Sequence, residues 1–548
     1  MVIIDSKISK LNAIMRRNLS AGDYAKLCFQ YGIDMEGSGD DFSFELTSDR
    51  MEIISEHSLA YLFSCLLRGK THRNEAIASS KADITIEKTH RPFVNLLSVK
   101  LNEPVGDNIK ELMALQDKLD RTIGRNRRMA AIGMFDLSEL KFPLVYKERE
   151  KNAVSFVPLG QLEKRTFSEI MSDTDQGREY ASLVKDKSII WEQKDGKIFA
   201  MPPIINADFA SISGKTTNIL IDITGMEKGA VNSMTIALIF NMQFFGDVKV
   251  LKPEYKVKEL DPLLKIKENE FSLSLEKIKN ILGIELNISE VSEALKAFDY
   301  AITKAKSDFK VKVPFYRQDV IHQVDIIDDI LRFVGVDRIK EAPIRTPSIG
   351  ERLPGARKID SVRDVILGFG YQETELNVLT NEKIQFSKTL INPENYAPLV
   401  GIKSGEITMA RANILPEMLR FVSNNLNKKF PQNLFDVGYV LEGSDGEIPF
   451  INRLKLCILS CGKDSNLTAV YGVVKKVLSD SFGIQDVKLA EPPKSHAFLK
   501  TFIHGRMGEL HADGTNIGTI GEVHPEVLNN FGIELPVSAC EIDLYKLI

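Results

Sequence analysis

An α+β multidomain chain is the fold class this sequence predicts, and three observations predict it. The 548 residues exceed what one hydrophobic core fills; at about 100–200 residues per domain the chain holds roughly three to five. Helical and strand periodicities both occur, and their texture changes along the chain. A charged stretch containing Lys, Glu and Pro, residues 246–275, separates the earlier mixed patterns from a later helix–hairpin–helix pattern. With 43% hydrophobic and 27% charged residues, the composition is that of an ordinary globular protein.

Residues 1–85 read as a small α/β module. Ile8 to Met15 and Tyr24 to Tyr31 carry helical apolar spacing, FSFELTSDRMEII alternates as a strand, and Glu56 to Leu67 returns to a helix. The charges from Arg68 to Arg73 read as a solvated exit from that helix. From 86 to 245 the pattern is mixed α/β. A helix from Asp107 to Arg121 runs into the densest basic cluster of the chain, Arg121, Arg125, Arg127 and Arg128. Such a run is either a solvated face or a phosphate-contacting strip. Pro202–Pro203 interrupts any regular element, and ILIDIT alternates as a buried strand that points Asp222 and Thr224 the same way. Asp222 is either a satisfied structural acid or part of a site.

Residues 246–275 read mainly as a connector, and 276–344 as a winged-helix-like module. Ser274 and Ser289 are candidate N-caps, each with an acid in its first turn, Glu276 and Glu290. Neither forms a full capping box at that register. ITKAKSDFKVKVPF predicts a hairpin turning at Ser307–Asp308. A helix then runs from about Val324 to Phe333. Ile327, Ile330, Leu331 and Val334 form its apolar stripe, and Asp325, Asp328 and Asp329 fall together on the opposite face, with Asp319 just before. Like charges at this spacing repel by roughly 0.2–0.5 kcal/mol per pair. A hard divalent cation such as Mg²⁺, which takes oxygen ligands, would reverse that. A solvated acidic face at a helix start, or pairing to Arg317, would explain the same pattern.

Residues 345–548 read as a separate α+β domain. Ile359, Val362, Ile366 and Phe369 share one helix face; Leu415, Leu419, Val422 and Leu426 share another. LFDVGYVLEG reads as a buried strand, Asp513–Gly514 as a hairpin turn, and His524 as capping or preceding a helix.

Three parts of the chain carry a family resemblance. PFYRQDVIHQVDIIDDILRFVGVDRI resembles the winged-helix-like module in the beta subunit of phenylalanine–tRNA ligase. That family's pattern is Pro-x-Tyr-Arg-x-Asp, a five-residue gap to Asp, then two residues to an acidic pair; here these are Pro314, Tyr316, Arg317, Asp319, Asp325, Asp328 and Asp329. The resemblance implies that Asp319, Asp325, Asp328 and Asp329 ligate Mg²⁺. SFVPLG, GREYA, MPPIIN and the Ile-Asp-Ile-Thr-Gly strand resemble the editing domain of archaeal and eukaryotic members, which hydrolyses tyrosine wrongly attached to the tRNA. Asn206, Asp222 and Thr224 are the candidate pocket residues. Many relatives have a His where Phe135 stands, so no general base is expected there. The last domain resembles the class II synthetase fold, with Met409–Pro416 and Phe435–Gly438 in the place of its second motif. The run Val537–Ile548 lacks the Gly-rich segment and the Arg that closes a class II ATP site, so this antiparallel-sheet domain is expected to be catalytically silent. Bacterial members continue into an anticodon-binding domain, which this chain is expected to lack.

The resemblance therefore implies an archaeal- or eukaryotic-type beta subunit. It would dock through residues 1–85 to an alpha subunit holding the ATP and phenylalanine sites, in an assembly of two alpha and two beta chains acting on phenylalanine tRNA. A non-enzymatic tRNA-binding scaffold and a free-standing deacylase are the alternatives, separable by co-elution with an alpha subunit and by a deacylation assay. A net charge of −4 gives no bulk attraction to nucleic acid, so any RNA contact must be local. The five cysteines form no CxxC pair and read as reduced, buried thiols of a cytoplasmic protein. No signal peptide and no membrane span are expected.

Overall fold

The computed structural model describes residues 2–68, 77–257, 264, 266, 269–305, 308–343, 349–393, 396–401, 405–444 and 448–548. The chain divides into two compact units, Met1–Pro343 and Ile344–Ile548.

The first unit begins with a three-stranded antiparallel sheet, Val2–Lys7, Asp41–Leu46 and Asp34–Ser38, in which Asp41–Leu46 is central. Helices Ile8–Met15, Ala21–Tyr31 and Glu56–Arg68 accompany it. The strand expected in FSFELTSDRMEII stops at Leu46. Of the charged exit expected around Arg68–Arg73, Arg68 ends the helix and residues 69–73 lie outside the described residues. Ala21–Tyr31 opens with a capping box between Ser20 and Asp23 and closes at Gly32, whose φ of 69° is the left-handed geometry a helix C-cap favours.

A nine-stranded mixed sheet follows. Its order across the sheet is Ile205–Asn206, Ile198–Met201, Ser188–Glu192, Leu144–Arg149, Ala78–Ile86, Gly246–Tyr255, Phe93–Leu101, Asn218–Gly225 and Ala130–Asp136. Helices Ile109–Arg121 and Lys228–Met242 pack on one face against Leu97, Ile132, Ile219, Ile221 and Ile223. Leu96, Phe135, Leu144, Trp191, Phe199 and Leu220 form the core of the other. The strand Asn218–Gly225 is covered on both sides, so its alternate residues 220, 222 and 224 are as buried as 219, 221 and 223.

Two boundaries expected from sequence are corrected. Ala78–Ile86 belongs to this sheet rather than to the N-terminal module, and so does Gly246–Tyr255. The latter reads as a connector because of its charges, but Asp247, Lys249, Lys252 and Glu254 are the exposed positions of an ordered strand paired parallel to Ala78–Ile86 and antiparallel to Phe93–Leu101. These exposed positions change parity between Lys249 and Lys252, next to an irregularity in the pairing with Ala78–Ile86.

The unit ends in a three-stranded sheet, Glu270–Ser274, Asp308–Lys312 and Ala301–Ala305, with helices Leu275–Leu282, Ile288–Ala297 and Gln323–Val334. The expected hairpin forms; its turn residue Ser307 lies outside the described residues. Ser274 caps the first helix as expected. The second is capped by Asn287, not Ser289, and Asn287 with Glu290 makes a full capping box. This module and the N-terminal one share a single core: Ile4, Leu11, Tyr31 and Phe63 belong to the same cluster as Leu295, Phe298, Ile327 and Ile330. Tyr31 and Phe298 meet edge to face at 5.1 Å. The nine-stranded domain is thus an insertion between two halves of one core.

The second unit is a seven-stranded sheet ordered Gln372–Glu373, Gln432–Gly443, Phe450–Cys461, Val537–Asp543, Thr515–Val523, Phe502–Ala512 and Val487–Ala490, antiparallel except for the first pair. Helices Pro354–Gly368 and Leu467–Phe482 cover one face, and Leu415–Asn424 and Pro525–Phe531 the other. Val362 and Ile366 are buried as expected, whereas Phe369 and Leu426 lie past their helix ends and are exposed. Asp513 and Gly514 turn with φ of 49° and 82°, the pair of positive values that a two-residue hairpin of this kind needs. His524 caps Pro525–Phe531, accepting from the Glu526 amide.

Candidate functional site

The nine-stranded domain holds two adjoining cavities, a smaller one of ≈70 Å³ and a larger one of ≈250 Å³, which share Gln116, Arg127, Leu159, Gln176 and Asn206. Asp222 and Thr224 line the smaller one beside Asn206, so the structure brings the three expected pocket residues together. Alternation along Asn218–Gly225 sends both side chains to the same face.

Asp222 is 2% exposed. Burying a carboxylate costs several kcal/mol unless it is hydrogen-bonded. Here the indole N–H of Trp191, the chain's single tryptophan, donates to its Oδ2 at 2.6 Å. Gly133 stands directly opposite Asp222 in the neighbouring strand. A Cβ at Gly133 would come within 2.2 Å of the Asp222 Oδ1, so only glycine leaves room for the carboxylate. Burial pushes the Asp222 carboxyl up to about 6, against the lowering from Trp191 and the Gly133 amide.

Arg91 donates to the Thr224 hydroxyl at 3.2 Å and to the carbonyls of Thr224 and Arg127. Arg127 in turn donates from Nε to Asp120 Oδ2 at 2.9 Å and from Nη1 to the carbonyls of Pro203 and Ile204. Three successive non-glycine residues, Arg125, Asn126 and Arg127, have φ of 47°, 54° and 63°. Left-handed backbone costs of order 1–3 kcal/mol per residue and persists only where the surroundings over-determine it; the Arg127 bonds do so here. Sequence reading missed Trp191, Arg91, Asp120 and Gly133; the lone tryptophan was the one visible signal. Phe135 packs into the core edge-on to Phe199, and no histidine or cysteine among the described residues lines either cavity.

The acidic helix Gln323–Val334 is arranged differently from its expectation. Ile326, Ile327, Asp329 and Ile330 are its buried residues, so Asp329 faces the core rather than sharing a solvent face with Asp325 and Asp328. Arg317, 4% exposed, donates to Asp319 Oδ2 at 2.7 Å and to Asp329 Oδ2 at 2.9 Å. The Tyr300 hydroxyl also donates to Asp329, at 2.6 Å. Asp325 accepts from the backbone amides of Ile321 and His322, closing the helix N-terminus. Asp328 pairs with Arg332 one turn on. Burial pulls the Arg317 guanidinium down, but Asp329 and Asp319 more than reverse this and hold it well above its ordinary value. The expected convergence is corrected on this ground: a guanidinium sits between two of the four acids, and a helix cap uses a third. Among the described residues no three Asp, Glu, His or Cys side chains are grouped so as to hold a metal. Asp319, Asp325, Asp328 and Asp329, as arranged in this chain, do not fit a four-carboxylate magnesium site.

Two family models match the chain: the phenylalanyl tRNA synthetase beta chain CLM domain over residues 339–544 and the tRNA synthetase B5 domain over 271–336. The phenylalanine–tRNA ligase beta subunit of Pyrococcus horikoshii is 34% identical over 452 residues, 80% of this chain and 79% of that one. This chain belongs to the phenylalanine–tRNA ligase beta subunit family. The beta subunit of Methanocella arvoryzae is 28% identical over 555 residues and aligns over 97% of both chains. Among solved structures, an N-terminal fragment of the Pyrococcus horikoshii beta subunit matches with a TM-score of 0.54 at 27% identity, covering 61% of this chain and 99% of the fragment. The B5 match coincides with the three-stranded module around Arg317, and the CLM match with the seven-stranded unit. As a phenylalanine–tRNA ligase beta subunit the chain is part of a ligase, with an alpha-subunit partner and tRNA binding implied by the family. Among the described residues, no helix is long and apolar enough to cross a membrane.

Two outcomes are expected. Because burial raises Asp222 above the unfolded carboxylate value of about 3.9, the native state holds more protons between about pH 4 and 6. Unfolding free energy therefore falls as pH rises through that window, and Asp120, pushed up to about 6 by burial, acts in the same direction. Asp222→Asn is expected to remove on the order of 2–3 kcal/mol of this dependence, read as a flatter plot of melting temperature against pH. Arg317→Met takes the guanidinium from buried Asp329 and partly buried Asp319 and is expected to destabilise by about 3–5 kcal/mol, whereas EDTA leaves the native chain's melting temperature unchanged. A fall in EDTA that Mg²⁺ reverses would show the acids holding metal despite Arg317.

Proposed function

We propose that the nine-stranded domain hydrolyses tyrosine wrongly esterified to phenylalanine tRNA, while an alpha subunit carries out ATP- and Mg²⁺-dependent attachment of phenylalanine in a cytoplasmic assembly of two alpha and two beta chains. The observation that carries the reading is the buried carboxylate of Asp222 at the end of a small cavity, with Thr224 and Asn206 beside it. A pocket for phenylalanine rejects an added hydroxyl by only about 10²-fold. A second pocket whose buried polar groups are satisfied only by that hydroxyl discriminates further, because phenylalanine would leave them unpaired. In hydrolysis, water attacks the ester carbonyl, the bond from that carbon to the ribose oxygen breaks, and a proton passes to the ribose hydroxyl. With no histidine or cysteine lining the cavities among the described residues, the chain's contribution is recognition and placement of the ester.

The seven-stranded unit supports the silent role proposed for it. Its cleft of ≈330 Å³ has Lys455 and Glu442 in its lining. Lys455 is already paired with Glu442 and Glu541, and Glu541 also accepts from the amides of Ile414 and Leu415. Carboxylates on the strand Val537–Asp543 repel a triphosphate where a cation would attract it. Arg411, in the stretch resembling the second motif, is buried against Asp436 at 3.0 Å.

A non-enzymatic tRNA-binding scaffold is the second reading, favoured because no histidine or cysteine among the described residues lines the cavities. The decisive measurement is deacylation of tyrosyl-tRNA by the assembled enzyme. Asp222→Ala is expected to slow it at least tenfold while phenylalanine charging stays within about twofold, since about 1.4 kcal/mol corresponds to each factor of ten. Lost charging with intact deacylation would make Asp222 structural, and no deacylation by the unaltered enzyme would leave the scaffold. The chain alone is expected to give no ATP–pyrophosphate exchange, with exchange appearing when the alpha subunit is added; exchange by the isolated chain would overturn the silent reading and, with unaided deacylation, point to a free-standing enzyme.

A further inference from the structure

Unusual backbone and buried hydrogen bonds hold the walls of the cleft in the seven-stranded unit. Its ≈330 Å³ falls at the lower end of the roughly 300–1,000 Å³ that small-molecule sites occupy. Phe386, Ile391 and Phe498 supply apolar wall; Glu442 and Lys455 supply charge. Phe386 stands on a π-helical turn, Lys383–Ser387, a rare form that recurs at functional sites. Leu390, just before Ile391, has φ of 57°, a left-handed conformation that persists only where neighbours over-determine it. The Thr501 hydroxyl donates to the Thr389 carbonyl at 2.9 Å, and the Thr389 hydroxyl to the Gln385 carbonyl at 2.7 Å. The buried side-chain oxygen of Gln385 accepts from the amides of Ala412 and Asn413, which also line the cleft. His496 Nδ1 accepts from the Phe498 amide at 3.2 Å, and its Nε2 is hydrogen-bonded to the Thr519 hydroxyl at 3.1 Å. The walls are therefore set before any ligand arrives.

The charges select the sign of a ligand. An ammonium has three N–H donors. Around the Lys455 nitrogen stand Glu442 at 2.8 Å, Glu541 at 3.4 Å and the Ala412 carbonyl at 3.4 Å, so no donor is left for an incoming acid. The Glu541 side chain, 6% exposed, also accepts from the amides of Ile414 and Leu415. Glu442 differs. An ionised carboxylate accepts about four hydrogen bonds. At Glu442 one oxygen meets Lys455, the other has only Arg453 near it, at 3.6 Å, among the described residues, and the side chain is 36% exposed. A donor cation can therefore add to Glu442 without displacing Lys455. Asn392, also in the lining, has a side chain with no hydrogen-bond partner among the described residues.

We infer that this cleft binds a small primary amine with an apolar body and no acid group, its ammonium donating to Glu442 and its body lying against Phe386, Ile391 and Phe498. No hydroxyl, thiol or imidazole lines the cleft among the described residues. The amine is therefore held and not turned over, which agrees with the silent role proposed for the unit. A ligand that binds only the folded chain stabilises it by mass action.

The test is isothermal titration calorimetry on the full chain. The probes are 2-phenylethylamine, 3-phenylpropanoate, butane-1,4-diamine and a short peptide with an N-terminal phenylalanine. Phenylethylamine is expected to bind. The acid meets a spent lysine and two carboxylates, and the diamine has no ring for the apolar wall. Each should bind at least about tenfold more weakly, the scale of one charge-assisted hydrogen bond or one buried ring. Glu442→Gln keeps the shape and removes the charge; Ala497→Leu fills the cleft from a partly exposed loop position. Each should weaken phenylethylamine at least about tenfold while the variant still melts cooperatively. Absence of amine binding, equal binding of amine and acid, or an affinity that survives both variants overturns the inference. A diamine that binds as well as phenylethylamine makes the cleft a non-selective cation site and overturns it too. Tighter binding of the peptide assigns the cleft to a chain terminus, with the same consequence.

Discussion

A carboxylate buried inside a sheet covered on both faces constrains everything built around it. Asp222 keeps its place because one indole N–H reaches it and because the opposite strand has no side chain at Gly133. Those two conditions fix the register of Asn218–Gly225 against Ala130–Asp136. A slip of one residue would send Asp222 into the apolar face formed by Ile219, Ile221 and Ile223. The register also places Thr224 beside Arg91, and through Arg91 it orders the loop whose left-handed backbone holds Arg127 in the cavity wall. Backbone strain, buried charge and cavity shape are therefore one coupled arrangement.

The insertion adds a second constraint. The N-terminal and B5-matching modules complete each other's core. At their junction Arg50 pairs with Glu52, Arg317 with Asp319 and Asp329, and the hydroxyls of Tyr61 and Tyr316 donate to Asp299. The Ser55 hydroxyl of the N-terminal module donates to the side-chain oxygen of Asn241, on the inserted domain's helix Lys228–Met242, and the Asn241 amide donates to the Glu52 backbone carbonyl. A buried ion network contributes little net stability compared with apolar packing, but removing one member is expensive. It therefore favours one relative placement of the three modules within this unit over alternatives.

Much of this was legible in the sequence. Helix positions followed from apolar spacing, and the Asp513–Gly514 turn and the His524 cap followed from turn and cap chemistry. Asp222, Thr224 and Asn206 were legible as a set only through resemblance, since alternation alone says that two of them share a face and nothing about what lies opposite. Gly133 and Trp191 are far from Asp222 in the chain and meet it only through strand order, which no local pattern reveals. The acidic helix misled for a related reason. Counting i, i+3 and i+4 correctly groups Asp325, Asp328 and Asp329, but the helix is covered on more than one side, and its third acid turns inward to an arginine eight residues before the first. Lysines in Gly246–Tyr255 misled because charge density was read as solvent exposure of a whole segment rather than of individual side chains on a paired strand.

The two units use charge in opposite ways, and that contrast bears on the division of labour proposed for them. In the inserted domain the carboxylate of Asp222 lines a cavity, where a ligand hydroxyl can reach it. In the seven-stranded unit three charged groups at or beside the cleft are already committed: Lys455 to two carboxylates, Glu541 to two amides, and Arg411 to Asp436. A site that must bind a triphosphate needs cations whose partners arrive with the substrate. A side chain whose bonds are complete in the empty protein has little further binding energy to give a ligand, because forming a new contact requires breaking an old one. Committed charge thus argues for a structural unit, and the cavity-lining acid at Asp222 argues for a recognising one.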